Sequence, residues 1–209
     1  MDEQCSRIRM VKHKIYMLEN ISKYKIILAS NSPRRKELLG GLGLSFEVRT
    51  MKGIDESYPA DLKGEDIPIY ISGKKAEAYR DVMAEDEMII TADTIVYDNS
   101  QVLGKPKDRE DAISMLRQLS GHAHDVITGV SIVTKVKTIQ FASTSKVYFA
   151  SLTDEEIEYY VDSYKPFDKA GSYGIQEWIG FVGVTRIEGS YFNVMGLPIQ
   201  RLYTELKQF

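Results

Sequence analysis

The chain has 209 residues, of which 43% are hydrophobic and 27% charged, so it can bury a core and fits one domain or one domain folded as two lobes. Lys and Arg number 27 against 30 Asp and Glu, a formal charge of −3 that excludes a global basic field for nucleic acid but not a local basic pocket. A single cysteine, Cys5, excludes an intramolecular disulfide and a Cys-based zinc site, and fits a reducing compartment. No apolar run approaches the roughly 20 residues of a membrane helix. The first 25 residues lack the apolar core of a signal peptide. These features lead us to expect a cytoplasmic protein. Residues 1–24 read as an N-terminal extension, with Met17 an alternative start, and 25–209 as the functional domain.

In chain order, Ile26–Ala29 reads as a short buried strand and Ser32–Leu39 as a helix ended by Gly40, Gly41 and Gly43. Phe46–Arg49 is a second strand candidate. Asp66 to about Met83 reads as a helix. Met88–Ala92 and Ile95–Tyr97 read as two β-rich runs, followed by a turn at Asp98-Asn99-Ser100. Asp108 suits a helix cap, Asp125–Val133 and Lys146–Ala150 alternate as strands, and Thr153-Asp154-Glu155-Glu156 is a capping box. Pro198 suits the first position of a last helix. The order predicts an α/β protein of mixed α+β type, a mixed twisted sheet flanked by helices with a cleft.

The strand–turn–helix of residues 26–39 is a ready anion site, because free N–H groups and the helix dipole meet there. Ser30 and Ser32 add hydroxyls, and Ser32 suits the N-cap. Arg34 and Arg35 disfavour the first turn unless a polyphosphate lies against them; the other reading is two solvated or surface-paired arginines. Asp93, between two apolar β runs, must be paired, bind metal, or protrude at a strand end. Asp98 reads as a turn residue. Lys105, after Gly104 and before Pro106, can aim an ammonium at phosphate or be solvated. Of Lys74 and Lys75 only one can face a cleft. Glu56 lies with Asp55 in an acidic loop that can supply Mg²⁺ with oxygen ligands or remain solvated.

Residues 168–198 are rich in glycine and aromatics without forming a dinucleotide fingerprint. Gln176 can read a base edge or bond the backbone. His13, His122 and His124 make no metal or catalytic constellation, and His122 and His124 read as favourable charge at a helix C-terminus. Serine-hydrolase elbows and P-loops are absent.

Taken together, Ser30-x-Ser32-Pro33-Arg34-Arg35, Lys75-Ala76, Ala92-Asp93-Thr94, Gly104-Lys105-Pro106, Asp168-Lys169-Ala170-Gly171, Gly174-Ile175-Gln176 and Gly196-Leu197-Pro198 resemble, in order, the Maf family of nucleoside triphosphate pyrophosphatases. The resemblance implies an inosine-triphosphatase-like fold of two lobes around a deep cleft, often a homodimer. It implies hydrolysis between the α and β phosphates, giving monophosphate and pyrophosphate with Mg²⁺ or Mn²⁺. Asp93 matches the general base, and Glu56 a second acid associated with the metal. Ser30, Arg34, Arg35, Lys75 and Lys105 match phosphate-handling positions. Arg34, Thr94 and Gln176 match the branch acting on dTTP and UTP rather than on 7-methyl-GTP. The alternatives are a nucleotide-binding regulator of septum formation without turnover, and a pyrophosphatase for 7-methyl-GTP or non-standard purine nucleotides.

Overall fold

A computed structural model describes residues 18–209. Cys5, His13, Met17 and most of the proposed extension lie outside the described residues. Seven strands form one mixed sheet in the order β2-β1-β3-β5-β6-β7, with β4 added to β3. They are β1 (Lys25–Leu28), β2 (Phe46–Val48), β3 (Glu87–Asp98), β4 (Gln101–Leu103), β5 (Ala123–Val133), β6 (Thr138–Phe149) and β7 (Val184–Glu188). β1 runs parallel to β2 and β3, and all other pairs are antiparallel. The helices are α1 (Pro33–Gly40), α2 (Asp66–Arg80), α3 (Arg109–Leu119), α4 (Asp154–Tyr164), α5 (Trp178–Gly183), α6 (Tyr191–Val194) and α7 (Ile199–Leu206). None of them is long and apolar enough to cross a membrane. The expected mixed sheet flanked by helices is therefore present.

Alternation along β3 divides the core. Met88, Ile90, Ala92 and Val96 join the large cluster formed with α1, α3, α4 and α7, while Ile89 and Ile95 pack under α2 on the other face. Leu18 and Ile21, just before β1, are buried in the large cluster. Local chemistry sets the helix starts: the side chains of Ser32, Asp108 and Thr153 each accept a backbone N–H, and Thr153 and Glu156 form the expected capping box.

Four local expectations are corrected. The runs on either side of Asp93 are one continuous strand, because β5 pairs β3 through the whole of Ile89–Tyr97. Pro198 caps α7 from outside and the helix begins at Ile199. Asp98 is more than a turn residue. It is 2% exposed and accepts hydrogen bonds from Gln118 Nε2 at 2.9 Å and His122 Nε2 at 3.0 Å, tying β3 to the end of α3. Burial alone would raise its pKa, but these bonds and the His122 charge hold it below the ordinary carboxylate value. His122 thus serves a carboxylate partner rather than a helix end. The tight turn itself is as expected, with Asn99 and Ser100 both at positive φ.

His124 is 2% exposed, edge-on to Phe149 and Tyr173, with Nε2 2.8 Å from the Tyr173 hydroxyl. Burial pushes its pKa down to about 4, against the attraction of Asp98 and with the repulsion of His122. Its stabilising contribution is therefore complete above the unfolded value near ~6.5 and is lost as pH falls from there towards 4. We expect urea unfolding to show a loss of about 3 kcal/mol from this group across that window. The slope should flatten in His124→Leu; an unchanged slope would assign the acid sensitivity elsewhere.

Candidate active site

β1 pairs β3 only as far as Leu28 opposite Ile90, and β4 rejoins the same edge at Leu103 opposite Val96. Between these two points the edge of β3 has no strand partner. A cleft of about 750 Å³ opens there, lined by Ala92, Asp93, Thr94, Ile95 and Val96. Asp93 and Thr94 point to opposite faces of the sheet, and both reach the cleft because it straddles this open edge.

On the α2 face, Lys75 Nζ lies 2.7 Å from Asp93 Oδ1 and 3.2 Å from Glu56 Oε1. Asp93 and Lys75 are 13% and 15% exposed in their side chains, whereas Glu56 is 55% exposed. Lys74 points elsewhere, to Asp55 Oδ2 at 2.9 Å and the Ser57 carbonyl at 3.1 Å. That bond fastens the Glu56 loop, whose earlier part is held where Tyr79 of α2 donates to the Arg49 carbonyl and accepts from Met51 N–H. One of the two lysines therefore faces the cleft and the other anchors its rim.

The opposite face is organised by Arg35. Nε donates to the Gly196 carbonyl at 2.8 Å, Nη1 to the Ala92 carbonyl at 2.9 Å and to Ser30 Oγ at 3.4 Å, and Nη2 to Thr94 Oγ1 at 3.0 Å. Four of the five N–H groups of the guanidinium are thus committed to protein. Burial lowers its pKa from the ordinary arginine value, opposed by the charge of Asp93. Arg35 joins the helix N-terminus, the open strand edge and the 193–196 segment. Thr94 completes the join: Thr128 Oγ1 donates to the Asn193 carbonyl at 3.1 Å, so at 2.9 Å the Thr94 hydroxyl donates to Thr128.

Arg34 donates to the Met195 carbonyl at 3.2 Å and lies 3.4 Å from Asp168 Oδ2. Ser30 and Ser32 line the turn, and Ser32 accepts the Arg35 N–H as N-cap. Lys105 reaches the cleft from the loop after β4, is exposed, and has no carboxylate within ion-pair distance among the described residues. Gln176 also lines the cleft, and its Oε1 is buried without a hydrogen-bond partner. All ten residues singled out from the sequence therefore border one cleft.

Lys169, part of the Asp168–Gly171 motif, is given no role by the sequence. It is 8% exposed, lines the cleft, and is held by Asp168 Oδ1 at 2.7 Å and Glu177 Oε1 at 3.0 Å. A lysine in a glycine-rich run carries no local signal of burial. Its partnership with Glu177 depends on the fold.

The donor set can be tested against a divalent cation. Asp93 and Glu56 bring two carboxylates to one ammonium, the one or two protein oxygens that Mg²⁺ uses when substrate phosphates complete its shell. Among the described residues no group of three or more His, Cys, Asp or Glu side chains is arranged to hold a metal. The residues fit a cation shared with a phosphate ligand rather than an all-protein cage.

Comparison with known proteins agrees with the motifs. The Maf-like protein family matches residues 25–209. The chain is 64% identical over 192 residues to the dTTP/UTP pyrophosphatase of Phocaeicola vulgatus, covering 92% of this chain and 100% of that protein. It is 61% identical over 193 residues to the dTTP/UTP pyrophosphatase of Parabacteroides distasonis, again covering 92% and 100%. The solved structure of the Staphylococcus aureus Ham1 protein is a distant likeness, 15% identical with a TM-score of 0.49 over 88% of this chain and 98% of that one. With its motifs gathered in family order around one cleft, and matched from residue 25 to the last, this chain belongs to the Maf family.

Proposed function

We propose that the protein hydrolyses dTTP and UTP, canonical or modified on the pyrimidine, to the monophosphate and pyrophosphate. The observation that carries this reading is Asp93, a carboxylate on the unpaired edge of β3, ion-paired to Lys75 inside a cleft bordered by further cations. The names of its relatives support the choice of nucleotide.

A triphosphate carries several negative charges near neutral pH. Arg34, Lys75 and Lys105 offset them, and Ser30 and Ser32 add hydroxyl contacts at the head of α1. Arg35 shapes the wall that holds them. Lys75 binds Asp93 Oδ1, and no described residue donates to Oδ2, which is left to accept a proton from water. That water adds at one phosphorus of the α–β bridge, the bridging P–O bond breaks, and the pyrophosphate charge develops beside the lysines. Glu56 and Asp93 would hold Mg²⁺ or Mn²⁺, which when bound polarises phosphate oxygens and offsets developing charge. Gln176 supplies an amide to the base edge. The reading includes a cytoplasmic homodimer.

Product chromatography after incubation with dTTP, UTP, CTP, dGTP, ITP and 7-methyl-GTP, each with Mg²⁺ or Mn²⁺, tests it. dTMP and UMP with pyrophosphate, and purines untouched, is the expected result. Cleavage mainly of 7-methyl-GTP or ITP would keep the chemistry and overturn the specificity. Tight nucleotide binding without cleavage would make the protein a nucleotide-binding regulator.

A further inference from the structure

Behind the wall that carries Gln176 stands a largely buried polar set that does no chemistry of its own. Tyr160 of α4, fully buried, donates its hydroxyl to Glu177 Oε2 and accepts the Gly174 backbone N–H at 3.0 Å. Glu177 Oε1 pairs with Lys169 at 3.0 Å. The Glu177 N–H closes the four-residue turn 174–177 onto the Gly174 carbonyl at 2.9 Å.

The turn is gripped by packing as well. A Cβ at Gly174 would lie 2.8 Å from Glu177 Cδ and 3.0 Å from Gln176 Nε2, so a side chain there would have to push the ends of both aside. From the far side, Gly180 of α5 approaches so closely that a Cβ there would lie 1.8 Å from the Ile175 carbonyl oxygen. Taking a phenol and an ammonium out of water, beside a half-buried carboxylate, is costly unless they are paired, and here the three pair around one short turn. Neither Tyr160 nor Glu177 lines the cleft, whereas Gln176, carried between them, does.

A glutamine amide has an acceptor and two donors at one end, and its terminal torsion is soft. Turned one way it matches the N3–H and O4 of uracil or thymine. Turned the other way it matches N3 and the amino group of cytosine. Discrimination therefore depends on the backbone from which the amide projects being immobile.

We infer that Tyr160, Glu177 and Lys169 are positioning residues that set nucleotide selectivity by locking the Gly174–Glu177 turn under Gln176; this rests on the reading of Gln176 as the base-contacting residue. Tyr160→Phe removes one hydroxyl, leaving the Gly174 N–H and Glu177 Oε2 without that partner.

The test is the ratio of kcat/KM for dTTP to that for dCTP, the base edge that the turned amide would match, a quantity that loss of folded protein does not move. In Tyr160→Phe the ratio falls by about fivefold, the size of one lost hydrogen bond. Gln176→Ala lowers it further, and the double variant falls no lower than Gln176→Ala alone, since Tyr160 acts through Gln176. Glu177→Gln, which keeps an acceptor for Tyr160 and loses the charge facing Lys169, reaches the same result by a second route. An unchanged ratio in Tyr160→Phe and Glu177→Gln, or equal losses on both nucleotides, while Gln176→Ala still lowers it, overturns the inference and leaves the reading of Gln176 intact. An unchanged ratio in Gln176→Ala overturns both.

Discussion

Asp93→Asn is expected to lower kcat on dTTP by roughly a thousandfold, within the usual range for loss of a general base. The substitution is nearly isosteric and leaves β3 paired to β5 on the far side, with Gly129 opposite position 93. Lys75 keeps Glu56 as a partner. Far-UV circular dichroism and nucleotide binding should therefore stay close to those of the wild type. The amide can still take a hydrogen bond from Lys75, but it cannot accept a proton from water near neutral pH. Single-turnover rates separate this loss from slower product release. Turnover like that of the wild type would remove Asp93 from the role of base, and the remaining carboxylate of the pair, Glu56, would be the next residue to change.

The second large effect lies at a residue without a side chain. Gly129 of β5 sits on the α2 face of the sheet, and a Cβ there would come 2.2 Å from the Pro68 carbonyl carbon and 2.4 Å from Ile69 N. Both are backbone atoms of the first turn of α2, so no rotamer change relieves the contact and the helix must move. Gly129→Ala is expected to cost about 3 kcal/mol, the upper part of the range for overpacking. In a chain of this size that lowers the Tm by roughly 10 °C. The same displacement carries Lys75 away from Asp93, whose contact is 2.7 Å. An ångström of misplacement costs about a hundredfold in rate, so kcat per folded molecule should fall by about that factor. Gly40→Ala, where the nearest atom outside the helix is Phe46 Cε1 at 3.9 Å, is the control and should be close to neutral. Thermal unfolding with kinetics on the folded fraction checks both halves. A full-rate Gly129→Ala protein would show that the seating of α2 does not set the geometry on which the rate depends at Lys75 and Asp93.

The sequence by itself determined what depends on neighbours a few residues apart. Ser32, Asp108 and Thr153 announced their helices because a cap satisfies N–H groups two or three residues ahead. The alternation in Asp125–Val133 and the polar turn after Asp98 were legible for the same reason. The motifs marked the family, and the site residues named from the sequence all border the cleft, but the sequence did not show what most of them touch.

Only the tertiary structure decided those contacts. Arg35, expected at phosphate, spends most of its donors on Gly196, Ala92, Ser30 and Thr94; two of these partners lie 161 and 57 residues away. Asp98 becomes a buried acceptor because α3 returns Gln118 and His122 to it. Lys169 is buried only because Glu177 and Asp168 meet it in the fold. β7 and the short helices α5 and α6 carry too few residues to show a period, and packing against β6 and the 174–177 turn makes them. A charged side chain reads the same in sequence whether water or a buried partner surrounds it. Which one does is set by chain closure over long separations, and that closure also left the edge of β3 open between β1 and β4, where Asp93 stands.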